Sequence, residues 1–152
     1  MTHDMDLAGP WLQAAVFCEK VLTERDGVVS LIRLVDRLTI TTAGSSAPET
    51  MPLATLQIGG MLMFKSGFAK GSYEVRLTMI SPSDTRMQDQ VVPLFLEGDE
   101  RGASVGFTLN LAAKEDGLYW MDVRVRDRLV TRMPLRIVYL RIQGPMRQGP
   151  SG

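Results

Sequence analysis

The stretch Glu115–Val125 constrains the fold of this chain more than any other. It begins with an acidic turn that ends in glycine, and continues as Leu-Tyr-Trp-Met-Asp-Val-Arg-Val. Strict alternation with a period of two is typical of a β-strand that buries one face. The sequence therefore predicts a strand that points Tyr119, Met121, Val123 and Val125 into a core.

Similar apolar segments, separated by glycine, proline and acidic turns, recur along the chain and predict about eight strands. They cover residues 12–22, 28–41, 53–64, 72–80, 90–97, 103–111, 118–126 and 129–141. Short strands at this spacing are typical of sandwiches and barrels. We predict an all-β fold, a single antiparallel β-sandwich that is immunoglobulin-like or Greek-key and has no disulfide.

The first of these segments is open to two interpretations. Trp11, Ala14, Ala15, Cys18 and Leu22 would also line one face of a helix. A turn at residues 26–27, Asp-Gly, favours a strand instead, because it would close a hairpin with the apolar run that follows.

Length and composition indicate one domain. With 152 residues, the chain suits a single core at residues 11–142, flanked by Gly/Pro-containing tails at 1–10 and 143–152 that we expect to be mobile. The lone Cys18 excludes an intrachain disulfide and favours a reducing compartment. No apolar run is long enough for a membrane span. We expect a soluble, cytoplasmic protein.

Alternation also predicts which side chains form the core. The set is Tyr73, Val75, Leu77, Phe107, Leu109, Tyr119, Met121, Val123, Leu135 and Ile137. Gly117-Leu-Tyr119 is similar to the tyrosine corner of immunoglobulin-like sandwiches, in which the tyrosine hydroxyl returns to the backbone a few residues upstream. Met121 stands where those domains have a cysteine.

Several short motifs together resemble small bacterial β-sandwich domains of unknown function. They are Phe17-Cys-Glu, Asp26-Gly, Ser30-Leu-Ile-Arg, Gly71-Ser-Tyr, Ser81-Pro-Ser, Asp116-Gly-Leu-Tyr and Met133-Pro-Leu. The resemblance implies a cytosolic sandwich without an assigned activity, and it carries over no functional residue.

The residues needed for catalysis are scarce. His3 is the only histidine and lies in the predicted N-terminal tail, so a catalytic triad would need that tail held over a site. Gly59-Gly60 does not form a phosphate-binding loop, because no Gly-Lys-Ser/Thr follows. We predict a protein that is not an enzyme and has no cofactor, with an undetected hydrolase as a distant alternative.

A calcium- or anion-dependent binding module is a second alternative. If successive strands run antiparallel, Asp84 and Asp89 share one end of the fold with Glu115 and Asp116. Loop carboxylates gathered in this way can bind Ca²⁺, although turn acids are more often simply solvated.

Arginine dominates the C-terminal third of the chain. Residues 117–147 hold seven arginines against two aspartates, a local charge of +5 in a chain of zero formal net charge. Alternation points Trp120, Arg124, Arg126, Arg132 and Arg136 away from the core, and we name this set the Arg/Trp face. If the core-facing residues of the last two strands lie on the same side of the sheet, odd-numbered residues must pair with odd-numbered residues. This pairing predicts a three- or five-residue turn between the strands and places Arg124 opposite Arg132.

Two interpretations of the Arg/Trp face stay open. Tryptophan and arginine are enriched at binding hot spots, which favours a protein partner or self-association through an acidic surface. The chain's own acids or a loop could instead satisfy the face. Nucleic acid is disfavoured by zero net charge and by one exposed aromatic residue. We predict a non-catalytic interaction or assembly domain.

Overall fold

A computed structural model describes residues 8–142. The nine strands of this part of the chain are β1 (Trp11–Thr23), β2 (Val29–Val35), β3 (Arg37–Ala43), β4 (Ala54–Gly67), β5 (Gly71–Ile80), β6 (Arg86–Leu96), β7 (Asp99–Ala113), β8 (Gly117–Val125) and β9 (Arg128–Ile142). Most of both predicted tails lies outside the described residues. No helix in residues 8–142 is long and apolar enough to cross a membrane.

The strands form two sheets. The four-stranded sheet has the order β2-β1-β4-β7, and the five-stranded sheet has the order β3-β9-β8-β5-β6. Neighbouring strands are antiparallel except β3 and β9, which run parallel. The all-β class is therefore confirmed.

One buried cluster joins the inner faces of both sheets. It includes Phe107 and Leu109 from the four-stranded sheet and Tyr119, Met121 and Leu135 from the five-stranded sheet. All predicted core residues are buried except Tyr73, which is half-buried at the rim of the cluster. Alternation therefore identified the core because each strand presents one face to it.

The segment that could have been a helix is strand β1. It pairs with β2 in a hairpin that the turn at Asp26-Gly27 closes. Within this turn, the Val28 N–H donates to the Asp26 carboxylate (3.0 Å) and the Gly27 N–H donates to the Glu24 carbonyl (2.9 Å). Local turn chemistry thus decided between the two interpretations.

The prediction of one strand over residues 28–41 was wrong. β2 ends at Val35 in the four-stranded sheet, and β3 begins at Arg37 in the five-stranded sheet. Val35 and Leu38 both pack against the common core, so the chain changes sheets at Asp36. The Asp36 carbonyl accepts a hydrogen bond from the Arg136 N–H of β9 (3.1 Å), which anchors the crossing.

The predicted length of the β8–β9 turn was also wrong. Val125 pairs with Arg128, and only Arg126 and Asp127 lie between them, both with positive φ (55° and 61°). Two positive φ values are typical of a tight hairpin turn. The register shifts between Val123 and Arg124, which forms a bulge. On the far side of the bulge from the turn, odd-numbered residues of β8 pair with odd-numbered residues of β9. The bulge therefore does what we expected a longer loop to do.

Gly59-Gly60 in β4 is explained by two close approaches on opposite faces of the sheet. A Cβ on Gly60 would lie 2.1 Å from Cζ of Phe107 in the core. A Cβ on Gly59 would lie 3.2 Å from the Cys18 carbonyl oxygen of the neighbouring strand β1. A Cβ on Gly106 in β7 would lie 3.6 Å from Cγ1 of Val21, an ordinary contact distance. At Gly59 and Gly60, glycine is needed for packing.

We predict that Gly60→Ala destabilises the fold by about 1–3 kcal/mol, because the new methyl group overpacks the Phe107 ring. Gly106→Ala is the matched control, since its Cβ meets Val21 at an ordinary contact distance of 3.6 Å. Urea unfolding of both variants measures the effect. Equal stability of the two variants would contradict this account of Gly60.

The predicted tyrosine corner is confirmed at Tyr119. Its ring is fully buried, and its hydroxyl donates to the Glu115 carbonyl four residues upstream at 2.5 Å. Burial raises the pKa of the Tyr119 hydroxyl above its ordinary value. The side chain therefore anchors the entry to β8 through both packing and a hydrogen bond.

We expect Tyr119→Phe to lower the free energy of unfolding by about 1 kcal/mol through loss of the hydrogen bond. Tyr119→Ala also removes the buried ring and should cost about 3–5 kcal/mol. Chemical unfolding midpoints measure both effects. If Tyr119→Phe is as stable as the wild type, the corner hydrogen bond contributes nothing.

Candidate functional site

The Arg/Trp face lies on the outer surface of the five-stranded sheet. Trp120 and Arg124 are on β8, and Arg132 and Arg136 are on β9, all pointing away from the common core. Arg126 lies in the turn between the two strands. The structure brings Trp120, Arg124 and Arg132 together, places Arg126 at the end of the same surface, and leaves Arg136 apart.

Asp122 is the centre of this surface. It pairs directly with Arg132 across β8 and β9, and the Arg132 Nε donates to its Oδ1 at 2.6 Å. Its other oxygen lies 3.6 Å from Nη1 of Arg124. The predicted opposition of Arg124 and Arg132 was wrong, because the bulge moves Arg124 opposite Leu129. The chain's own carboxylate therefore lies between the two arginines.

The burial of Asp122 explains why it is paired with two arginines. Asp122 is only 6% exposed, although it lies on the outer face of the sheet. A buried carboxylate requires paired charges or hydrogen bonds. The two arginines supply them, and in return the carboxylate fixes the direction of the Arg132 side chain.

Arg132 also stacks on Trp120. The guanidinium carbon lies 4.9 Å from the centroid of the indole ring, within the range of a cation–π interaction. Trp120 is half-buried, whereas Arg132 remains exposed. The surface thus presents an aromatic ring and a guanidinium in direct contact.

A second charged pair, which sequence reasoning missed, continues the surface onto β5 and β6. Arg76 lies directly opposite Arg124 across β5 and β8. Its Nη1 contacts the Asp89 carboxylate at 2.9 Å, and the Thr78 hydroxyl donates to the other Asp89 oxygen at 2.5 Å. The outward position of Arg76 was visible in the sequence, but the pairing of β5 with β8 was not.

These contacts alter the ionisation of Asp89. The Thr78 hydroxyl bond makes the largest contribution and lowers the pKa of the Asp89 carboxyl. Partial burial acts in the opposite direction, and smaller contributions from Arg76 and Arg86 lower the pKa further. A hydrogen bond to the charged form has this effect because protonation would weaken it.

An open groove of about 520 Å³ lies at the Arg126 end of the surface. Arg76, Arg124 and Arg126 line it, together with Ser72, Tyr73, Glu74, Val91 and Asp127. The Arg126 guanidinium carbon lies 4.3 Å from the centroid of the Tyr73 ring, which accounts for the half-burial of that ring. The groove is therefore mixed in charge, with three guanidinium groups and two carboxylates.

Arg136 does not join the other members of the Arg/Trp face. It lies opposite Leu118 on one side and beside Arg37 of β3 on the other. Its side chain is exposed. This separation was not predictable, because β3 was not expected beside β9.

The four acidic residues considered for calcium are not gathered into one site. Asp89 is held in its pair with Arg76, while Asp84 and Asp116 are exposed in separate turns. Glu115 accepts a hydrogen bond from Ser83 at 2.7 Å, so the β5–β6 and β7–β8 turns do meet. Within residues 8–142, no group of three or more His, Cys, Asp or Glu side chains is placed to hold a metal ion.

No protein-family model matches the chain, and no curated protein matches it in sequence. Among solved structures, it is similar to part of a β-glucosidase from Listeria innocua in complex with glucose, with 14% identity and a TM-score of 0.43. That alignment covers 83% of this chain and 16% of the glucosidase chain.

A CARDB domain from a Pyrococcus furiosus protein, in complex with di-metal ions, is similar at 12% identity and a TM-score of 0.40. Here the alignment covers 90% of this chain and 100% of that domain. Neither similarity supports a statement about what this chain binds.

We predict that Thr78→Val raises the pKa of Asp89 towards the ordinary carboxyl value of about 3.9, because it removes the main contact that favours the ionised form. NMR titration of the side-chain carboxyl carbon measures the shift. Arg86→Gln is the control and should shift this pKa less, because Arg86 makes the smallest contribution. An unchanged pKa in Thr78→Val would contradict the assignment.

The same shift fixes the sign of a pH effect. The pKa of Asp89 is lowered in the folded protein, so ionised Asp89 contributes stability above the unfolded-state pKa of about 3.9. That contribution is lost as the pH falls through the folded-state value. Thr78→Val should reduce the part of acid unfolding that Asp89 causes.

Proposed function

We propose that this protein is a non-catalytic interaction or assembly domain that binds a protein partner through the Arg/Trp face. The observation that carries the proposal is the fixed unit of Trp120, Arg132 and Asp122. Arg132 is held by the buried carboxylate at 2.6 Å and covers the indole ring at 4.9 Å. Both outer residues belong to the types most enriched at binding hot spots.

Preorganisation supports this use of the surface. A free arginine side chain loses rotamer entropy when a partner immobilises it, which weakens binding. Here Asp122 has already restricted Arg132, and the half-buried Trp120 has little freedom left. A partner that covers the pair would therefore lose less entropy than at an ordinary exposed arginine.

The groove beside this unit indicates the chemistry of the partner. Arg126 has its guanidinium on the Tyr73 ring, and the Arg124 contact with Asp122 is long, at 3.6 Å. Partner carboxylates would pair with these two guanidinium groups. Because Glu74 and Asp127 line the same groove, we propose a partner surface with separate carboxylates rather than an acidic run. The same two acids would repel a nucleic-acid backbone.

Further parts of the proposal concern architecture and location. The tyrosine corner and the shared core of the two sheets support a single immunoglobulin-like sandwich, akin to small bacterial domains. The free Cys18 is buried, and burial raises the pKa of its thiol. A protected free thiol suits a reducing compartment, so we propose a cytoplasmic location.

The function can be tested by affinity isolation of the tagged protein from its native cell. The amount of partner that each variant retains is compared with the amount that the wild type retains. We expect a partner that the wild type retains and that Trp120→Ala binds about 30-fold more weakly, as at a hot spot of about 2 kcal/mol. Phe68→Ala is the matched control, because it removes an aromatic ring that is 78% exposed and lies in the β4–β5 turn. It should retain the partner.

Thermal unfolding of the same variants separates binding from folding. Trp120→Ala should melt within a few degrees of the wild type, because its ring lies outside the common core. A partner retained equally by Trp120→Ala and the wild type would refute the proposed surface. So would collapse of the fold, since Trp120 would then be a structural residue.

A small anionic ligand in the groove is a second candidate, favoured by the convergence of Arg76, Arg124 and Arg126 on one open volume. Calorimetric titration with succinate and with inorganic phosphate, on the wild type and Arg126→Gln, distinguishes it. Saturable binding that Arg126→Gln weakens would favour this ligand-binding function over a protein partner.

A further inference from the structure

Strand β3 is one of the two edges of the five-stranded sheet, and its outward backbone groups can be assigned residue by residue. The Gly44 N–H donates to the Ile142 carbonyl (3.0 Å), and the Asp36 carbonyl accepts from the Arg136 N–H (3.1 Å). In a parallel pair, alternate residues bond to the neighbouring strand. Even-numbered residues of β3 therefore bond to β9, and Arg37, Thr39, Thr41 and Ala43 direct their N–H and C=O groups to the free edge.

Two of the other three sheet edges carry a feature that opposes pairing with another chain. β6 contains Pro93, which has no N–H to donate. β2 contains Arg33 at a φ of +58°, which distorts its line of hydrogen-bonding groups.

By contrast, β3 has none of these protective features. It contains no proline, no positive φ and no register shift against β9. Its four outward-bonding residues are all exposed. In residues 8–142, no backbone hydrogen bond outside the ladder with β9 reaches Thr39 or Thr41. An unprotected edge of this kind is a template for another strand.

We propose that β3 pairs antiparallel with β3 of a second copy of this chain, with a two-fold axis at Ile40. In both copies, the odd-numbered residues of β3 direct their backbone N–H and C=O groups to the free edge. Odd-numbered residues of one copy must therefore face odd-numbered residues of the other. The register centred on Ile40 overlaps all seven residues of Arg37–Ala43. It joins two five-stranded sheets into one continuous sheet. The proposal is independent of the function proposed for the Arg/Trp face.

The side chains of β3 are self-complementary in this register. Thr39 faces Thr41 of the second copy on the outer side, and such Thr–Thr pairs stabilise antiparallel strands. Ile40 faces Ile40 on the core side, where each is only half-buried in the monomer. Arg37, already beside Arg136 of its own chain, faces Ala43, so the register keeps the arginines of the two copies apart.

The interface is small, because one seven-residue edge supplies it. Stable interfaces generally bury about 1,200–2,000 Å². We therefore expect a reversible dimer whose population rises with protein concentration, rather than a permanent one.

Sedimentation equilibrium across a concentration series tests the edge. The wild type should shift from monomer to dimer as concentration rises. Thr41→Lys, which places a lysine on the edge and near Arg37 of the second copy, should weaken dimerisation at least tenfold. Thr108→Lys is the matched control, since Thr108 is an exposed threonine on edge strand β7, and it should dimerise like the wild type.

Oxidative cross-linking tests the register. Facing residues at a pair without hydrogen bonds lie about 4.5 Å apart between Cα atoms, which a disulfide can bridge. Ile40→Cys should thus form a cross-linked dimer. Thr39→Cys should not, because Thr39 faces Thr41 and the two cysteines would be about 8 Å apart. The native Cys18 is buried and contributes no cross-link.

Four results would overturn the proposal. The first is a wild type that stays monomeric at millimolar concentration. The second is a dimer that Thr108→Lys disrupts and Thr41→Lys does not, since another edge would then be used. The third is cross-linking of Thr39→Cys but not Ile40→Cys, which would mean a different register. Binding of a foreign strand at β3 without self-association would equally exclude a second copy as the occupant.

Discussion

The burial of alternate residues in β8 is the constraint on which the rest of the structure depends. Tyr119, Met121 and Val123 are buried in the core shared by the two sheets. Because the side-chain period of a strand is two, this burial forces Trp120 and Asp122 to the opposite face. The position of the Arg/Trp face is therefore a consequence of core packing.

The central position of β8 extends this effect to its neighbours. It pairs with β5 on one side and β9 on the other, so a register shift in β8 would move Arg76 and Arg132 relative to Asp122. The Tyr119 hydrogen bond to Glu115 fixes where the strand begins. Stability at the corner and geometry at the surface are thus coupled through one strand.

Local signals in the sequence were enough to predict most strands, the core and the tyrosine corner. Each depends on residues close together in the chain, such as the period of two around Tyr119 or the turn at Asp26-Gly27. The change of sheet at Asp36 was not predictable in this way. Val35 and Leu38 continue the apolar pattern on either side of Asp36. Both pack against the same core, so the pattern does not show that they belong to different sheets.

The candidate site was predicted in composition but not in pairing. Arg124, Arg132 and Trp120 were placed correctly on the outer face, yet their contacts depend on the bulge after Val123. The pairing of odd-numbered residues with odd-numbered residues had led us to expect Arg124 opposite Arg132. Arg76 and Asp89 joined the surface only because β5 lies next to β8, and strand order is a long-range property that alternation does not contain.

The excess charge of the C-terminal third illustrates the same limit. The sequence left open whether an external anion or the chain's own acids pair with these arginines, and at Arg124 and Arg132 the structure shows Asp122 of the same sheet supplying the carboxylate. Placing that carboxylate at 6% exposure is costly unless both arginines stay paired with it. The pairing lowers the demand for an anion at Arg132 while holding its guanidinium over Trp120. A charge that looks unsatisfied in the sequence can therefore be paired within the fold.

The change of sheet at Asp36 also determines which edge of the five-stranded sheet is open. Had residues 28–41 formed one strand beside β1, β9 would itself be the edge, and Pro134 would interrupt its line of donors. Instead β3 pairs with residues 136–142 of β9 and presents a regular row of backbone groups to solvent. The change of sheet at Asp36 thus replaces most of the β9 edge with that of β3, a strand without a proline, which supports the proposed pairing at this edge.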